Sequence, residues 1–82
     1  MNPDELLAAQ RRQPFVPFRL HVSDGSSYEI RRPEMLWFTR RTAYIGIPAA
    51  GPIPDRAVIV ALIHVTRLED LPAPAGPGNG QG

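Results

Sequence analysis

Neither cysteine nor lysine occurs in the 82 residues. The first absence excludes a disulfide scaffold, a thiolate zinc site and a cysteine nucleophile. The second makes every one of the nine basic residues an arginine. A GC-rich coding sequence produces the same bias, together with much Ala, Pro and Gly. Long hydrophobic runs are also missing. The longest, Ala57 to Ile63, has the length of a strand and falls well short of the ~20 residues that cross a bilayer. The opening residues MNPDELLAAQRR are acidic and then polar, unlike a signal peptide. The expectation is a soluble, cytoplasmic protein with no membrane partner.

The last stretch, LPAPAGPGNGQG, has no large apolar side chain after Leu71. Such a segment cannot bury enough surface to offset its ordering entropy. Residues 1–71 are therefore read as a single small domain and 72–82 as a disordered Pro/Gly-rich tail. A domain this short buries only ~60% of its unfolded surface. Self-association is a common remedy for so small a core.

Charge is unevenly placed. Between Arg11 and Arg67 nine arginines stand against Asp24, Glu29, Glu34 and Asp55, a local excess of nine minus four, or +5, inside a chain of net +1. That excess attracts anionic partners mildly. It is weaker than the basic stripe of a dedicated nucleic-acid binder.

Asn2-Pro3-Asp4-Glu5 forms a helix start, with Asn2 as cap, Pro3 at the first helical position and two acids at the positive end of the dipole. The helix is expected over about 3–13, with Arg11 and Arg12 in its last turn and Pro14 ending it. Phe18, Leu20 and Val22 then alternate with Arg19, His21 and Ser23, the pattern of a half-buried strand. Asp24-Gly25 supplies a turn, and Ser27 to Arg31 returns with Tyr28 and Ile30 inward. Pro33 marks a bend, after which Met35 to Thr39 carries the same strand onward. Arg40-Arg41 lies at a second turn, and Thr42 to Ile47 is a third strand with Ala43, Ile45 and Ile47 on one face. After the rigid Pro48 to Pro54 loop, Arg56 to Val60 is a fourth strand. Val58, Val60 and Leu62 hold one parity, whereas Ile63 and Val65 hold the other. The switch predicts a bulge or a single helical turn near 61–63, with His64 to Leu68 as a fifth strand. The β-branched content argues against one continuous helix there. The expected fold is mostly β: a short N-terminal helix, then a five-stranded antiparallel meander closed into a strongly bent small barrel of SH3-like or Sm-like form.

That element order resembles the Sm-like fold, which includes the bacterial host-factor RNA chaperone. Asp24-Gly25 is similar to the turn between that family's first two strands. Ile63-His64-Val65 is similar to its Lys-His-hydrophobic segment at the junction of the last two strands, with Ile63 in place of Lys. Glu29-Ile30-Arg31 stands where the family has a glycine within its second strand. The likeness covers about Phe18 to Leu68. It implies a ring-forming oligomer with RNA in its pore or on its faces. The chain also resembles a group of short bacterial proteins with a PFRPF, DG, PE and RRTAYVGIP pattern. Here those stretches read Pro14 to Phe18, Asp24-Gly25, Pro33-Glu34 and Arg40 to Pro48. This second resemblance implies no activity.

No catalytic constellation is visible. Two histidines among scattered carboxylates lack metal-binding spacing. Ser23, Ser26 and Ser27 crowd one hairpin with His21 and do not build a triad. Glu29 and Glu34 form no recognisable acid–base pair, and no glycine-rich phosphate loop exists. No enzyme, cofactor or metal is expected. The candidate binding residues are Arg31, Arg32, Trp37, Arg40, Arg41 and His64. An aromatic between arginines can stack on bases. The blander reading puts Trp37 in the core with the arginines as a solvated rim, because a small domain needs its large aromatics inside. A protein interface, where Trp and Arg are enriched, is the third reading. His64 follows the register break, either bonded to backbone or facing a pocket. His21 is read as a solvated strand residue. The leading expectation is a non-enzymatic interaction module that self-associates or binds another protein. RNA or single-stranded nucleic-acid binding is the alternative.

Overall fold

The structure is a computed structural model and describes residues 1–48 and 53–72. The helix α1 spans Pro3–Gln10. Its cap is the one expected: the Asp4 amide donates to Asn2 Oδ1 at 2.8 Å. It ends earlier than expected, because Arg11 leaves helical geometry (φ −97°, ψ 6°) while its amide still donates to Leu7. Neither Arg11 nor Arg12 therefore lies in the last turn. Arg12 reaches away to Asp70, 3.0 Å from its carboxylate, and ties the helix exit to the end of the last strand. Leu6 and Ala9 face inward and are buried, the docking that so short a helix needs in order to form.

Six strands follow: β1 Phe18–Val22, β2 Ser27–Ile30, β3 Leu36–Phe38, β4 Thr42–Pro48, β5 Pro54–Ala61 and β6 Val65–Asp70. Gly25 takes a positive φ of 92° in the β1–β2 turn, a conformation that costs a glycine nothing. The Asp24 carboxylate locks that turn by accepting from the Ser26 amide (2.9 Å) and hydroxyl (2.6 Å). Single turns of 3₁₀ helix at Pro33–Met35 and Leu62–His64 separate β2 from β3 and β5 from β6. The second of these is the helical turn that the parity switch predicts.

The strands form two antiparallel three-stranded sheets, β2-β1-β6 and β3-β4-β5. This corrects the expected five-stranded barrel. The strand read as bent is two strands in different sheets, so the described residues form six strands, and among them neither sheet closes into a barrel. Pro33, which has no N–H to donate to a ladder, starts the turn that ends one pairing and begins the other. The first and last strands are neighbours, with Leu20 opposite Leu68 and Phe18 opposite Asp70. The expected Pro48 to Pro54 loop and the tail lie largely outside the described residues; Pro54 itself opens β5.

Both sheets feed one core. Phe18, Leu20 and Ile30 from one meet Ala43, Ile45 and Val60 from the other, with Leu6, Leu36, Leu62 and Val65 joining them. Leu71 is also buried, and its amide donates to Pro17 O at 2.9 Å. Gly46 serves packing. A Cβ there would lie 2.9 Å from the Pro54 ring and 3.2 Å from the Met35 sulfur.

Two stability measurements check this packing. Leu6→Ala removes the fully buried side chain that docks α1 and should cost about 2–5 kcal/mol in chemical denaturation. Gly46→Ala should cost about 1–3 kcal/mol, because the added methyl overpacks Pro54 and Met35.

Candidate interaction surface

A strand puts successive side chains on opposite faces, so each sheet has an outer face as well as a core face. On the β2-β1-β6 sheet the outer positions are charged or polar. Arg19 lies opposite Glu29 on one side and Glu69 on the other, and His21 lies between Ser27 and Arg67. Arg19 pairs with Glu29 and sits 3.7 Å from Glu69. His21 Nε2 is 2.8 Å from Glu69 and 3.3 Å from the Arg67 guanidinium. One ring nitrogen cannot both donate to Glu69 and accept from Arg67, and the shorter, charge-assisted contact is the stronger. Arg19, and secondly Arg31, hold the Glu29 carboxyl below its usual range. His21 does the same for Glu69. His21, read as a solvated strand residue, is thus half-buried in this network.

The outer face of the β3-β4-β5 sheet is different. Trp37 lies opposite Tyr44, and Tyr44 opposite Ile59, so three large side chains form one row across all three strands. The Trp37 and Tyr44 rings are tilted against each other with centroids 5.1 Å apart. Trp37 is 64% exposed and Ile59 66% exposed. The next row holds Thr42 opposite Ala61; on the other side lie Gly46 and Ala57. No charged side chain stands in these rows. Ile63, on the second 3₁₀ turn beyond Ala61, adds an isoleucine that is 82% exposed.

The residues singled out from sequence separate into three places. Trp37 is exposed, which overturns its assignment to the core: Leu36 and Ile45 take the inward positions of their strands, and Trp37 has the opposite parity. Arg40 and Arg41 occupy the β3–β4 turn, where the Thr39 hydroxyl accepts from the Arg41 and Thr42 amides. Neither arginine has an ion-pair partner among the described residues. Arg31 and Arg32 lie before the first 3₁₀ turn and are partly neutralised, Arg31 by Glu29 at 2.9 Å and Arg32 by Glu34 at 4.0 Å. They do not join the Trp37 row. Tyr44 and Ile59 were not singled out. Their signal was present in the alternation of Thr42 to Ile47 and Arg56 to Val60, in which the positions between the inward residues are also apolar.

His64 lies apart, in a groove of about 300 Å³ between the β1–β2 hairpin and β5 that is also lined by Ser23, Asp24 and Tyr28. Its Nδ1 is 3.4 Å from Ser23 Oγ, and its carbonyl accepts from the Ser23 amide at 2.8 Å. Asp24 does not complete a relay, since its carboxylate is held by Ser26. The Ser26 hydroxyl, and then its amide, lower the Asp24 pKa. Among the described residues no group of three or more His, Asp or Glu side chains is arranged to hold a metal ion. No helix is long and apolar enough to cross a membrane among the same residues.

Comparison with protein-family models, with curated proteins and with solved structures finds no match to this chain.

The charged face makes a pH prediction. Glu29 and Glu69 have folded pKa values below their ordinary value of 4.5. Their contribution is therefore fully present above that pH and is lost as pH falls through the lower folded value. Thermal unfolding of the chain and of a Glu29→Gln/Glu69→Gln variant should show a gap at neutral pH that closes on acidification. A gap that widens in acid would contradict the assigned ion pairs.

Proposed function

We propose that the protein is a non-enzymatic interaction module that self-associates through the outer face of the β3-β4-β5 sheet. The observation that carries this is the contrast between the two outer faces. One is laced with Arg19, Glu29, Glu69 and His21, while the other presents Trp37, Tyr44 and Ile59 to water with no charge among them. Single exposed apolar residues are ordinary, but a contiguous apolar face marks a contact site. Trp and Tyr at the centre with arginines at the edge is the composition of an interface. A small domain with a limited core has most to gain from covering such a face. The Ser23–His64 contact lacks a third, acidic member, because Ser26 holds the Asp24 carboxylate, and this supports the non-enzymatic part of the reading.

The test is mass in solution as a function of concentration. Light scattering across the micromolar to millimolar range should show a rise above 9.0 kDa. Trp37→Ala and Ile59→Glu should suppress that rise. An interface Trp of this kind contributes about 2 kcal/mol or more, or about 30-fold in Kd. Ile59→Glu should alter monomer stability by no more than about 0.5 kcal/mol, since the side chain is exposed, and Trp37→Ala by about 0.5–1.5 kcal/mol, the worth of its ring contact with Tyr44. Trp37 is the single tryptophan, so its fluorescence should be quenched freely in dilute solution and shielded as the protein is concentrated. A chain that stays monomeric throughout contradicts the proposal.

One observation favours a second reading. The tilted Trp37–Tyr44 pair, with Arg40 and Arg41 in the turn that joins its two strands, has the parts of a platform for single-stranded nucleic acid: aromatic faces for bases and cations for phosphates. An RNA oligonucleotide should then bind at low ionic strength and dissociate steeply with added salt as counterions are released. Absence of any binding at low salt removes this reading.

A further inference from the structure

We infer a second self-contact, through the edge of β5 that no described strand covers: two copies join antiparallel about a two-fold axis at Ile59, so that their β3-β4-β5 sheets merge into one. It goes beyond the face contact proposed above, because pairing at this edge leaves Trp37 uncovered. β5 is the longest strand, eight residues, and is outermost in its sheet. One side pairs with β4 along its length, from Thr42–Ala61 to Pro48–Pro54. The other side pairs with no strand among the described residues.

Unpaired edges are usually blunted by charges, prolines or bulges. In β5 all such devices sit at one end, in Pro54, Asp55 and Arg56. The five residues Ala57 to Ala61 have none. The register irregularity in the β4–β5 pair falls at Ile47/Pro48, opposite that same protected end.

The pattern of charge selects a second copy and its direction. In an antiparallel pair centred on Ile59, Ile59 meets Ile59 of the copy, Val58 meets Val60, and Ala57 meets Ala61. Asp55 and Arg56 fall beyond the paired segment, towards the uncharged Ile63 and Leu62 of the copy. Parallel pairing would instead set Asp55 against Asp55 and Arg56 against Arg56, like charges that destabilise a ladder. Directly opposed residues share a face, so the Trp37–Tyr44–Ile59 row continues across the axis into the same row of the copy. A five-residue edge is ~17 Å long and supplies only part of the ~800 Å² per partner of a standard interface. The dimer is accordingly a weak, concentration-dependent one.

Because the chain has no cysteine, single-cysteine variants report the geometry directly. Under mild oxidation or with a short bismaleimide, Ile59→Cys should cross-link to itself. Ala57→Cys and Ala61→Cys should cross-link only when mixed with each other. Across this edge contact Tyr44→Cys should fall about tenfold or more behind, since its Cβ would be ~14 Å from its symmetry mate, against ~5 Å at the axis. Self-cross-linking of Tyr44→Cys without that of Ile59→Cys would overturn the edge geometry and leave self-association through stacked faces standing. Failure of every variant to cross-link, with the unmodified chain monomeric by light scattering, would overturn both.

Discussion

One core has to be filled from two small sheets, and the rest of the structure follows from that demand. Each sheet has only three strands and can offer just a few inward positions. Phe18, Leu20 and Ile30 come from one, and Ala43, Ile45 and Val60 from the other. Leu6 of the helix closes what the strands leave open. No residue among these is polar, so the core is held by burial and shape alone. The ion pairs on the outer surface, in high dielectric, add comparatively little. The two 3₁₀ turns make the arrangement possible. They let the chain pass between sheets without carrying one sheet's ladder into the other.

The same constraint explains why the two outer faces differ in consequence. A strand in a two-layer domain buries alternate residues and must do something with the others. On the β2-β1-β6 sheet those others are Arg19, His21, Glu29, Arg67 and Glu69, which satisfy one another and remain wetted. On the β3-β4-β5 sheet they are Trp37, Tyr44, Ile59, Ala57 and Ala61, which among the described residues lie opposite one another, Thr42 or Gly46 across the strands. Apolar area left in water is a driving force for association. The proposed face contact is the use of that force, whereas the edge of β5 offers backbone hydrogen bonds for a separate contact.

Much of the local structure was legible beforehand because it depends on neighbours in sequence. The Asn2 cap, the Asp24-Gly25 turn, the inward set Phe18, Leu20, Ile30, Ala43 and Ile45, and the helical turn after Ala61 all follow from short-range stereochemistry and alternation. The strand count was misjudged because Tyr28 to Thr39 reads as one bent run. Whether its second half pairs with β1 or β4 is a long-range choice that no local pattern encodes. Trp37 was misassigned for a related reason. Its size argued for burial, but its parity within β3 was decided by which neighbour, Leu36 or Trp37, faced Ile45 and the core.

The candidate surface was half visible. Arg40, Arg41 and Trp37 were conspicuous as residue types, whereas Tyr44 and Ile59 became relevant only when register placed them beside Trp37. His64 and Ser23 are 41 positions apart, and only folding puts them in one groove. By itself, then, the order of residues determined the helix cap, the hairpin turn, the alternation and the register break, since each is set within a few bonds. The partition of strands between two sheets, the exposure of Trp37 and the outermost place of β5 in its sheet were decided by tertiary structure. They depend on which distant segments compete most favourably for one small core.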